Sequence, residues 1–176
     1  MITREELQRI MPYAALRVDT YVSPLNAAMD RFGIVTPLQI AAFIAQLAHE
    51  SGEFRYVREL ADGKAYEGRV DLGNTSPGDG VMYKGRGLIQ ITGKANYRKC
   101  SDALFGDARL VNDPALLEEP ENATLSAAWF WDAHHLNGLA DRSDFRGITK
   151  AINGGYNGYQ KRLEYYERAL TVLGAN

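Results

Sequence analysis

Residues 49–59, His49-Glu50-Ser51-Gly52-Glu53-Phe54-Arg55-Tyr56-Val57-Arg58-Glu59, place three glutamates just past a very apolar segment. A carboxylate at the end of a buried helix is costly unless it has a partner or a task. Hydrolysis of a glycosidic bond is one such task. It needs one protonated carboxyl to give its proton to the leaving oxygen, and one carboxylate to activate water or attack carbon. Glu50, at the end of the apolar run, suits the acid. Glu59, flanked by Arg58 and close to Arg55, suits the ionised partner. The two are nine positions apart, roughly 13 Å on one continuous helix, too far to flank a single bond. Ser51-Gly52 supplies a break at which the chain can turn back. Ion pairs with Arg55, Arg58 or His49 at an ordinary helix end would produce the same cluster. Glu53 and Glu67 are further candidates that spacing leaves open.

Other chemistries fit less well. His49-Glu50 opens like a zinc-peptidase motif, but position 53 holds Glu53 where the second histidine belongs. His134 and His135 are adjacent and point apart on a helix, so no metal is expected. Gly85-Arg86-Gly87-Leu88-Ile89-Gln90 lacks the third glycine of a dinucleotide fingerprint and any following Lys-Ser/Thr pair. Its glycines read as a tight turn, or as the close wall of a cleft to which Arg86, Gln90 and Thr92 lend polar groups. Cys100, the sole cysteine, has no nearby base and reads as a buried thiol. Trp129 and Trp131 cannot face the same way on a helix, so at least one belongs to the core. Tyr66, Tyr83 and Tyr156 are candidates to stack on a sugar ring.

The elements that must position these groups are helical. Thr3 with Glu6 forms a capping box for a helix through Met11. Ser23-Pro24 reads as an N-cap with proline in the first turn. Thr36-Pro37-Leu38-Gln39 combines both signals, and the helix that follows is apolar nearly all round, so it is placed at the centre of the domain. Residues 60–85 are loop-rich, and Leu88 to Thr92 reads as a short extended piece. Helices are expected from Asn96-Tyr97, over residues 120–134, from Gly147 to Ile152 and from Gln160 to Leu173, with a short turn at Asp113-Pro114. The whole is a mainly α single domain over residues 1–176 with a loop-rich insertion.

Hydrophobic residues make up 45% of the 176 positions, enough for a core, and the formal net charge is −2. That charge is a poor footprint for nucleic-acid binding. No apolar run approaches a membrane span. Glu5 and Glu6 arrive before an apolar stretch, so the N-terminus is not expected to be a signal peptide.

Taken in order, Ala48-His49-Glu50-Ser51-Gly52, Tyr83-Lys84-Gly85-Arg86-Gly87-Leu88-Ile89-Gln90-Ile91-Thr92 with Asn96-Tyr97, and Ile152-Asn153-Gly154-Gly155 resemble glycoside hydrolase family 19. The match spans about residues 36–170 and is nearest to the compact bacteriophage and prophage endolysins. The resemblance implies a lysozyme-like, two-lobed helical fold with a central cleft and an inverting mechanism without cofactor. It implies Glu50 as general acid, Glu59 as general base with Glu67 as rival, and Thr92 holding the attacking water. Gln90, Asn96, Asn153, Tyr83 and Arg86 would bind substrate, and Arg162 would tune the acid. The partner expected is the glycan strand of peptidoglycan, cut by a monomer made in the host cytoplasm and admitted to the periplasm by a holin-type lesion. The alternatives are a chitinase and a non-catalytic wall-binding protein.

Overall fold

A computed structural model describes residues 1–175 of the chain, so the last position of the expected domain, Asn176, lies outside the described residues. The described residues form α1 (Arg4–Ile10), α2 (Arg17–Arg31), α3 (Pro37–Glu50), α4 (Asp79–Met82), α5 (Lys94–Phe105), α6 (Arg109–Asn112), α7 (Pro120–Ala133), α8 (Leu136–Asp141), α9 (Phe145–Asn153) and α10 (Tyr159–Leu173). Short 3₁₀ helices interrupt the connections at Lys64–Tyr66, Val70–Leu72 and Pro114–Glu118. Among the described residues the only β-type pairing is two isolated bridges, Arg58 with Arg86 and Arg86 with Ile91.

α3 is the axis of the molecule. Both halves of its capping box form between Thr36 and Gln39, and every residue from Gln39 to Ala48 is buried. Packing around it decides the fold, because each large aliphatic side chain taken out of water contributes about 1.5–3 kcal/mol. α10, α8 and α9 lie against α3, while α7 carries α2 and α5. Phe43 of α3 meets Trp131 of α7 edge-on at 5.3 Å. Trp131 is core, and Trp129 is only partly covered.

Two local expectations are corrected. Ser23-Pro24 does not open a helix; Pro24 lies inside α2. An interior proline costs about 3 kcal/mol or more, but Val18, Tyr21, Leu25, Ala28 and Met29 keep one buried face running past it, and that burial offsets the loss. Leu88 to Thr92 is not extended. Arg86 and Ile91 exchange both backbone hydrogen bonds, and Gly87 and Gln90 take positive φ, so residues 87–90 close a tight loop.

The turn after α3 has no full counterpart in the sequence reading. Gly52, Glu53 and Phe54 all adopt left-handed φ, at 56°, 58° and 65°. For the two non-glycine residues this costs roughly 1–2 kcal/mol each. Their side chains repay it. Phe54 stacks on Tyr21 at 4.5 Å. The Glu53 carboxylate accepts from the Tyr13 N–H at 2.6 Å and the Tyr165 hydroxyl at 2.7 Å. Ser51 locks the start, its hydroxyl donating to Leu47 O and accepting from the Phe54 N–H. This reversal turns the chain out of the α3 direction before it reaches Glu59.

Candidate active site

Glu50 is the last residue of α3, and its side chain keeps 19% of its surface exposed. Its Oε1 lies 2.6 Å from Nη2 of Arg162, whose side chain is only 1% exposed. That approach is an ion pair not directed as a hydrogen bond, so Oε1 is buried without a hydrogen-bond partner. Arg162 itself is fixed on the other side. Its Nη1 donates to Gln46 Oε1 at 2.5 Å and its Nε to Asn157 O at 3.1 Å. The Gln46 amide then donates to Thr149, whose hydroxyl donates to Phe145 O. Gln46 and Thr149 escaped the sequence reading, because Gln46 is one polar residue in a buried apolar stretch and Thr149 one of several polar residues in α9. His49 packs on Gly158, and burial, aided by the Arg162 charge, lowers its pKa and favours the neutral ring.

Glu59 is placed by the two bridges. Its N–H donates to Gly85 O at 3.0 Å, and the Gly87 N–H donates to Val57 O. Its Oε2 accepts from the Tyr66 hydroxyl at 3.0 Å. Burial, with the bond to Glu59 second, raises the Tyr66 pKa, so that hydroxyl stays a donor. Glu59 Oε1 is buried without a partner. Gly85 is the meeting point of the cluster. A Cβ added there would lie 2.7 Å from Gln90 Oε1, 3.1 Å from Glu59 Oε2 and 3.2 Å from Thr92 Oγ1. Only glycine leaves room for those three groups to converge. Thr92 donates to Gln90 O, and the Gln90 amide to Gly87 O, leaving the Gln90 amide oxygen turned toward Glu59 and Thr92.

Gln90, Thr92, Asn96 and Asn153 line one cleft of about 620 Å³, with Trp129 and Phe130 among its apolar residues. Asn96 is oriented by donation to Thr92 O, and Asn153 by accepting from the Asn157 N–H. Neither carboxylate is among the residues that line this cleft. Glu59 converges with Gln90 and Thr92 at Gly85, and Glu50 is linked to Asn153 through Arg162 and Asn157.

Three other candidates are engaged elsewhere. Tyr83 is buried and spends its hydroxyl on Val111 O. Arg86 is clamped by Glu118 at 2.8 Å, by Met82 O and by the Tyr97 hydroxyl. These two hold the loop and do not line the cleft. Glu67 accepts from the Gly78 and Gly80 N–H groups at 2.5 and 2.9 Å, fastening the start of α4.

The family model for glycoside hydrolase family 19, described as class I chitinase, matches residues 33–140, which includes Glu50, Glu59 and Thr92 but not Asn153 or Arg162. A glycosyl hydrolase family 19 domain-containing protein of Haemophilus influenzae is 31% identical over 98% of this chain and 96% of its own length. An endochitinase of Arabidopsis thaliana is 37% identical over 81% of this chain and 50% of its own, so the chain spans about half the length of that plant relative. The fold superposes on that of a bacterial family 19 chitinase with a TM-score of 0.81, covering 99% of this chain and 96% of that one at 24% identity. The mainly helical, lysozyme-like architecture is therefore shared with solved family 19 enzymes, and by sequence the chain belongs to glycoside hydrolase family 19.

Proposed function

We infer that the chain hydrolyses the β-1,4 glycosidic bonds of bacterial peptidoglycan as an endolysin, by an inverting two-carboxylate mechanism. One observation carries the reading. Among the described residues, the buried side-chain oxygens without a hydrogen-bond partner are Oε1 of Glu50 and Oε1 of Glu59. Glu50 Oε1 faces only the Arg162 cation and Glu59 Oε1 faces no donor; a buried acceptor without a directed hydrogen bond is costly, and here that cost falls on the two residues that the chemistry requires.

In this reading Glu50 gives its proton to the leaving glycosidic oxygen as the bond to the anomeric carbon breaks. A water held by Thr92 and Gln90 adds to that carbon, and Glu59 takes its proton. Arg162 holds the Glu50 carboxyl in place and stabilises the charge left on it. Asn96, Asn153 and Trp129 line the path of the sugars. The nearly full-length match to a bacterial relative fits a compact wall enzyme. The biology proposed with it is storage in the host cytoplasm and release to the periplasmic wall through a holin-type lesion.

The plant relatives carry the name endochitinase, which favours a second reading, cleavage of chitin. The test is mass spectrometry of purified, reduced peptidoglycan and of chitin hexamer after digestion, with wild type beside Glu50→Gln. New reducing ends in peptidoglycan, lost about 10²–10⁴-fold in a folded Glu50→Gln protein, are expected, and proton NMR of the unreduced product at early times should show the inverted anomer. Cleavage of chitin alone establishes the second reading. Wild-type rates in Glu50→Gln would sink both.

A further inference from the structure

A second hollow of about 310 Å³ adjoins Glu59, lined by Arg55, Tyr56, Arg58, Leu60, Lys84 and Glu118 among others. Its charge runs against that of the chain, which is net negative. Three cations line it against two carboxylates, Glu59 and Glu118, of which Glu118 is largely committed. Glu118 is held at 2.8 Å by Arg86 and only grazes Arg58 at 3.7 Å. Glu59 is bonded to Tyr66. Arg55 is exposed and forms no ion pair among the described residues; its guanidinium lies 5.3 Å from the centre of the Tyr56 ring. Lys84 donates to Ala61 O, a neutral partner. The apolar part of the hollow is unusually open, with Leu60 86% exposed.

Surplus positive charge beside exposed apolar surface fits a ligand that carries carboxylates next to methyl groups. It does not fit a neutral polysaccharide. We propose that this hollow receives a carboxylate-bearing substituent of the glycan strand and thereby selects muramic-acid-containing strands over chitin. The proposal rests on the peptidoglycan reading and names what discriminates its substrate. Continuity with Glu59 is the reason for that occupant, since a strand whose scissile bond sits at Glu59 must pass the hollow. A peptide-free muramyl residue presents its lactyl carboxylate, whereas in a stem-bearing residue that carboxyl forms the amide link and the peptide supplies the carboxylates; the hollow's chemistry is common to the two.

Binding, and not turnover, provides the test. Glu50→Gln protein, with Thr92→Val as a second slowed background, is titrated calorimetrically with three strands of equal length. These are a chito-oligosaccharide, a peptide-free muramyl strand and a strand bearing stem peptides. At low salt the muramyl strands should bind about 10-fold more tightly than the chito-oligosaccharide, and the gap should shrink at high salt. The double variant Arg55→Ser/Arg58→Ser should abolish the gap, while Arg55→Lys/Arg58→Lys should keep most of it. A gap already present with the peptide-free strand assigns the lactyl carboxylate; a gap confined to the stem-bearing strand assigns the peptide. Equal affinity for all three strands, or a gap untouched by the serine variant, overturns the proposal. Failure of wild type to cleave peptidoglycan would instead count against the enzymatic reading, whatever these affinities are.

Discussion

Glutamates 50, 53, 59 and 67 share one side-chain chemistry and differ in what surrounds them. Glu53 and Glu67 have their oxygens engaged by Tyr13, Tyr165, Gly78 and Gly80. Glu50 and Glu59 each keep one buried oxygen free of hydrogen bonds. This separates the two candidate bases by experiment. Glu59→Gln should fold normally and lose activity by about 10²-fold or more. Glu67→Gln should keep most of its activity, with a stability loss of about 1 kcal/mol from weakened bonds to the α4 start. Melting curves and cleavage rates measured together check both, and a largely active Glu59→Gln enzyme would reverse the assignment. Composition and spacing alone could not make this distinction, because the partners of Glu67 are backbone groups and those of Glu53 come from opposite ends of the chain. The same blindness affected Tyr83 and Arg86. Their residue types suit a sugar site, but the loop needed them as props.

The elements were more legible. Thr36-Pro37 with Gln39 marks the start of α3, and its unbroken apolar surface announces burial, because local capping and periodicity determine both. Pro24 misled, since a proline's position in a helix depends on burial that only tertiary packing supplies. The short helices α4, α6 and α8 carry too few residues for a periodic signal. The loop-rich insertion is held by a few polar ties. Asp79 accepts from the Thr75 and Ser76 N–H groups and pairs with Lys94 at 3.2 Å. Burial pushes its carboxyl upward, yet the Ser76 N–H, Lys94 and the Thr75 N–H outweigh this and hold it below the ordinary value of 3.8. A carboxyl depressed in the fold stabilises above the unfolded value, and that stabilisation is lost as pH falls through the folded one. Amide exchange over residues 60–85, compared with that of α3 after correction for intrinsic rates, should therefore rise first as pH drops below about 3.8. In Asp79→Asn the same amides should already be fast at neutral pH and respond little to acid. Uniform loosening of the wild-type chain would contradict this.

At the scale of the whole molecule, Arg162 joins the last helix to the central one. Its guanidinium is spent on Glu50, Gln46 and Asn157. Removing one partner of a buried ion pair strands the other, at a cost of roughly 3–5 kcal/mol. Arg162→Met should thus lower Tm by roughly 10 °C and reduce cleavage, whereas Arg162→Lys should recover part of each. An unchanged Tm in Arg162→Met would show that the pair contributes nothing net. The family's order of motifs announced the architecture, but the pairing of α3 with α10 rests on contacts that no local pattern encodes. It also has a consequence in time. Gln46 and Arg162 are separated by 116 residues, roughly ten seconds of ribosomal synthesis at about 5–20 residues per second. Until Arg162 emerges, the nascent chain carries Glu50 without the cation that pairs with it. On the proposed mechanism, competence to cut a glycan therefore waits until residue 162 has left the ribosome.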